Sequence, residues 1–214
     1  MNSKKILTAA IVVAAVAIFL ALVGVLFLGG IYKPVIYFYS ERPIAVTATI
    51  TTDELLIHSE PGSNVFSPAT WTFLALPNSV LVSHGKQYPY LFYETSYFGK
   101  RFSLNEGWSV ERSELIPLLN EKLPLLGLSK TETNAFVEYW STRLPESKYY
   151  SIYVIDRKEI DEKIKLDVNP TPDSVIRVFL AFKPTQSNEV LKLPRITPSA
   201  RNGFAVVEWG GFIV

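Results

Sequence analysis

The longest apolar run in the chain extends from Ile6 to Leu28 without a charge, and Thr8 is its one conspicuous polar side chain. As an α-helix, about 23 such residues would be roughly 34 Å long, enough to cross a bilayer. A cleaved signal peptide has a shorter apolar core and ends in an A-x-A-like site, which Val23, Gly24, Val25, Leu28 and Gly29 do not supply. Lys4 and Lys5 precede the run, Lys33 and Arg42 follow it, and the positive-inside bias favours a cytoplasmic N-terminus. The pattern therefore predicts a cytoplasmic N-terminus (1–5), a single-pass signal-anchor transmembrane helix (6–28), a short juxtamembrane segment (29–33) and one extracytoplasmic domain (34–214).

From Val35 to Tyr97 the period shortens to two. Short runs rich in β-branched and aromatic residues are cut by Pro43, Pro61-Gly62, Pro68, Pro77-Asn78 and Pro89. Ile44, Val46, Ala48 and Ile50 alternate with small or hydroxyl residues, as in a strand with one buried face. Pro77-Asn78-Ser79 reads as a turn between neighbouring strands.

A helical period replaces this in the middle of the chain. Leu115, Leu119, Leu123 and Leu126 form one stripe, Pro117 sits in its first turn and Gly127 ends it. Ser129-Lys-Thr-Glu132 matches a capping box, followed by Phe136, Val137, Trp140 and Leu144 on one face and Pro145 as a stop. Asp156 to Glu159 opens a further short helix, and Ile164, Leu166 and Val168 alternate as a half-exposed strand. Ser174 to Phe182 and Phe204 to Trp209 end the chain as hydrophobic strands. The expected fold class is α+β: a transmembrane helix, an antiparallel sandwich-like β-rich region, a helical hairpin and C-terminal strands. A finer division into subdomains 34–108 (β-rich) and 109–214 (α/β) fits the same pattern.

Charge excludes one class of partner. Lys and Arg number 21 against 20 for Asp and Glu, so no long-range field attracts nucleic acid. No cysteine is present, which removes disulfides, thiolate metal sites and thiol catalysis. The chain lacks a P-loop, G-x-G-x-x-G, H-E-x-x-H, G-x-S-x-G or EF-hand pattern, so no cofactor or metal is expected.

Four ordered segments stand out: Lys33-Pro-Val-Ile-Tyr-Phe-Tyr39, Tyr88-Pro-Tyr-Leu-Phe-Tyr-Glu94, Pro172-Asp-Ser-Val-Ile-Arg-Val-Phe179 and Arg201-Asn-Gly-Phe-Ala-Val-Val-Glu-Trp-Gly-Gly211. They resemble a family of bacterial envelope or secreted proteins with a KPVIYLYP-like opening and a GFxVVEWGG-like end. Phe38 and Ser40 stand where that opening has Leu and Pro. The resemblance spans nearly the whole domain and implies no activity.

Charges embedded in apolar strands supply the remaining chemistry. Alternation groups Arg177 with Val175 and Phe179, Glu208 with Phe204 and Val206, and Glu94 with Tyr90 and Phe92. Buried charges must be paired, so a structural ion pair of Arg177 with Glu208, or with Glu94, is the economical expectation. The sharper reading makes Glu94 and Glu208 an acid/base pair for glycan hydrolysis. His58 and His84, the only histidines, read as loop or surface residues rather than catalytic bases. Lys4-Lys5 flanks the apolar run, and the charges from Arg157 to Lys165 read as a solvated face. The sequence thus favours a noncatalytic binding module at the cell envelope, contacting the lipid bilayer through residues 6–28 and recognising an envelope component or a membrane protein. A membrane-anchored glycan hydrolase is the alternative, and a structural or assembly role through the alanine-rich helix is the third.

Overall fold

The computed structural model describes residues 34–62, 67–96, 102–197 and 200–214. Twelve strands form two sheets within them. β1 (Val35–Tyr39), β3 (Leu55–Glu60), β7 (Leu91–Ser96), β8 (Gly107–Glu111), β9 (Tyr149–Val154), β11 (Ser174–Thr185) and β12 (Ala205–Ile213) make a seven-stranded sheet in the order β3-β7-β1-β12-β11-β9-β8. β2 (Ile44–Thr52), β4 (Ala69–Leu76), β5 (Val80–Ser83), β6 (Lys86–Tyr88) and β10 (Ile164–Asn169) make a five-stranded one in the order β10-β2-β4-β5-β6. Every pairing is antiparallel except that of β11 with β12.

Three layers result. One core fills the space between the sheets, with Ile36, Phe38 and Tyr93 from the larger sheet against Val46, Ile50, Trp71 and Phe73 from the smaller. A second core covers the other face of the seven-stranded sheet with two helices, α1 (Leu115–Leu125) and α2 (Lys130–Ser141), through Leu119, Leu123, Phe136 and Trp140. The middle sheet is buried on both faces, which explains the predominantly hydrophobic text of β1, β11 and β12. The outer sheet has one wet face, and β2 and β4 alternate accordingly.

The helical hairpin follows from its local signals. Leu115, Leu119 and Leu123 are the buried stripe of α1, and Gly127 turns the chain at a positive φ of 106°. Ser129 Oγ accepts from the Glu132 N–H while the Glu132 carboxylate accepts from the Ser129 N–H, a complete capping box. A third helix, α3 (Arg157–Lys163), is capped by Asp156 and buries Ile160 in the inter-sheet core.

Two expectations need correction. The fold class is mostly β rather than α+β, with 46% of the described residues in strands and 21% in helices. The sequence reading overweighted the helical hairpin and missed β8 and β9, strands of the middle sheet that lack the clean apolar–polar alternation of a one-sided strand. Second, no helix among the described residues is long and apolar enough to cross a membrane, against the expectation of a single-pass signal-anchor protein. The segment that prompted it, residues 6–28, lies outside the described residues.

Candidate functional site

The embedded charges of β11 and β12 meet inside the molecule. The parallel register places Arg177 opposite Glu208, and Arg177 Nε donates to Glu208 Oε2. Tyr93 on β7 donates its hydroxyl to Glu208 Oε1 at 2.6 Å. Arg177 Nη1 donates to Asp161 Oδ1 on α3 at 2.8 Å and to the Ile164 carbonyl at 2.7 Å. Side-chain exposure is 1% for Arg177 and 0% for Glu208, so the charges have exchanged water for one another. Burial pushes the Tyr93 phenol well above the ordinary tyrosine range, and the Glu208 charge adds to it. For Arg177, burial works against the charge, but Glu208, Tyr93 and Asp161 together outweigh it and the guanidinium is held more firmly protonated than usual.

Glu94 does not join this group. Leu91 and Tyr93 of β7 enter the inter-sheet core, whereas Phe92 enters the core beneath the helices. Strand alternation puts Glu94 with Phe92 on the helical side, where its charge is felt by Tyr139 of α2. Glu208 projects with Val206 into the inter-sheet side. The seven-stranded sheet therefore stands between the two carboxylates, and no substrate bond can lie between them as paired acid/base chemistry requires. His58 is exposed on β3 as the register partner of Glu94, and His84 lies in the β5–β6 hairpin with φ of 50°. They belong to different sheets. Among the described residues no cluster of His, Asp and Glu is placed to hold a metal ion.

A second buried carboxylate was legible only as a cap. Glu132 has 0% exposure and accepts from Arg201 Nη1 at 2.9 Å and from the Tyr39 hydroxyl at 2.5 Å. Burial alone would raise its pKa, but the hydrogen bonds from Arg201 and Tyr39 prevail and hold it below the ordinary carboxylate range. Nothing in the local text of Arg201 signals this pairing, which spans 69 residues.

Concave surface occurs at two places along the seven-stranded sheet. A pocket of about 320 Å³ between β1, β12 and α2 is lined by Tyr37, Tyr90, Tyr139 and Trp209, with the Arg143 guanidinium 3.7 Å above the Tyr139 ring. A larger cleft of about 630 Å³ opens where β9 stops short of the first half of β11. Pairing of β9 with β11 begins at Leu180↔Val154, so residues 174–179 have β12 on one side and no strand on the other. Arg157 Nη1 donates to the Val175 carbonyl and the Ile155 N–H donates to the Phe179 carbonyl. By strand alternation, Arg177 presents its own N–H and C=O on that same side. Its residue exposure is 7% against 1% for the side chain, so the part of Arg177 that meets solvent is its backbone. Lys192 and Arg195 line the opposite wall on the segment that follows β11.

Comparison with known proteins finds no matching family model, no matching curated protein and no matching solved structure.

Proposed function

We propose that the chain is a noncatalytic recognition domain acting at the cell envelope, with the cleft beside β11 as its binding site. The observation that carries this reading is the cleft itself: it falls within the roughly 300–1,000 Å³ range typical of ligand pockets and is walled by Arg157, Lys192 and Arg195 around an uncovered strand edge. The envelope setting draws on the resemblance of the β1, β7, β11 and β12 segments to bacterial envelope proteins. The carboxylates that would support hydrolysis argue for binding instead, because Glu208 is committed to Tyr93 and Arg177 and Glu94 faces away from it.

The test is to incubate the full chain with fractionated cell envelope and to score both retained protein and released soluble fragments by mass spectrometry. Retention without product is the expected result. Release of fragments that Glu94→Gln abolishes would replace recognition with hydrolysis.

A further inference from the structure

We infer that the cleft beside β11 receives an extended acidic peptide segment, which adds as a short strand to the free edge at Arg177. This rests on the recognition reading and names the ligand of the same site. The backbone makes the first half of the case. A strand edge offers N–H and C=O groups that an incoming extended chain can match, and such main-chain bonds supply affinity in strand-addition recognition. Here the carbonyls of Val175 and Phe179 are already occupied, by Arg157 and by the Ile155 N–H. The groups left facing the cleft between them are those of Arg177, whose accessible surface is main chain. The added strand is therefore short, centred on one residue pair.

Charge makes the second half. The lining carries Arg157, Arg177, Lys192 and Arg195 with Glu106 and Asp156; Arg157 is paired with Asp161, and the buried Arg177 side chain with Glu208 and Asp161. Both lining acids are already engaged: Glu106 pairs with Lys192 at 2.6 Å, and Asp156 accepts from the backbone N–H groups of Lys158 and Glu159 as the cap of α3. Arg195 is exposed and forms no ion pair among the described residues, and it donates only its backbone N–H to Glu106. A ligand entering this cleft meets the exposed Arg195 guanidinium, unmatched among the described residues, on its wall and the hydrogen-bonding backbone of Arg177 at its floor. An acidic extended peptide satisfies both, whereas a basic chain is repelled at the rim.

The full chain is titrated with a short peptide of alternating glutamate and valine, acetylated and amidated at its ends. The comparison ligands are a lysine-valine counterpart and an acidic version N-methylated at its central amides. The acidic peptide is expected to bind saturably, with both comparison peptides weaker by about tenfold or more, since one lacks the charge and the other the strand-pairing donors. Lys192→Glu with Arg195→Glu, both exposed, should reverse the preference between acidic and basic peptides. Equal binding of the N-methylated peptide, or its displacement by inorganic tripolyphosphate as readily as the unmethylated one, would mean that the cleft reads charge alone and would overturn strand addition. Absence of any peptide binding by a chain still retained on envelope fractions would overturn the peptide ligand and leave the recognition reading standing. Loss of both would overturn both.

Discussion

Arg177 and Glu208 are register partners across the parallel pair β11 and β12, and their charges meet in the core between the two sheets, where Tyr93 and Asp161 add hydrogen bonds and Arg177 Nη2 is left without a partner among the described residues. Removing one member leaves the other charge buried and uncompensated, at a cost of about 3–5 kcal/mol. Glu208→Leu or Arg177→Met should therefore lower the denaturant midpoint steeply, while the double variant Arg177→Met with Glu208→Leu should recover a large part of the loss. Single variants as stable as wild type would show that these charges are not desolvated as the geometry implies.

Acid should loosen the contact between α2 and the C-terminal segment. The folded pKa of Glu132 lies below its unfolded value, so its contribution is present above about pH 4.3 and is lost as pH falls through the folded pKa. Unfolding free energy measured from pH 7 downward should drop across that window, and Glu132→Gln should flatten the drop. An unchanged acid limb in Glu132→Gln would contradict the assignment.

Alkali acts through the opposite sign. Burial raises the phenols of Tyr37, Tyr39 and Tyr93, so each contributes stability that is intact below about pH 10 and is lost as pH rises through the raised folded values. Titration followed at the tyrosinate absorbance should show a fraction of the eleven tyrosines ionising only together with unfolding. Reversible ionisation of all of them in the folded protein would contradict this.

Gly211 permits the closest approach between β12 and its surroundings. A Cβ placed there would stand 2.6 Å from the Leu180 carbonyl oxygen and 2.9 Å from Trp140 Cζ2. Neither backbone nor a buried indole can retreat freely, so Gly211→Ala should destabilise by about 1–3 kcal/mol. A thermal midpoint within error of wild type would mean that α2 packs more loosely on the sheet than described.

The capping box offers a smaller, local test. Ser129→Ala removes the acceptor for the Glu132 N–H and should cost about 0.5–2 kcal/mol. Because Glu132 is also held by Arg201 and Tyr39, Glu132→Ala should cost more than Ser129→Ala. The reverse order would detach the cap from the buried network.

Signals confined to a few neighbouring residues were legible in the sequence. The leucine stripe of α1, the cap of α2, the Asp156 cap of α3 and the alternation of β2 each depend on side chains within a turn or two of one another. The grouping of Arg177 with Val175 and of Glu208 with Val206 was readable for the same reason, since alternation fixes the face of a strand. What a face looks at is a matter of topology. Nothing near Glu94 states that its strand lies two places from β12 with Glu94 turned to the opposite side, so it could be offered as a partner of Glu208. The fold class was misjudged because Tyr149–Val154 has no clean alternation when both of its faces are covered. The cleft was invisible in the text altogether: it exists because β9 ends before β11 begins to need it.

The most direct measurement of the central claim is retention of the full chain on envelope fractions, compared between wild type and the Lys192→Glu, Arg195→Glu double variant with thermal stability checked in parallel. If the cleft beside β11 is the recognition site, reversing its exposed cations should reduce retention by about tenfold or more at unchanged stability. Equal retention of the two proteins would place recognition elsewhere on the molecule and contradict the account.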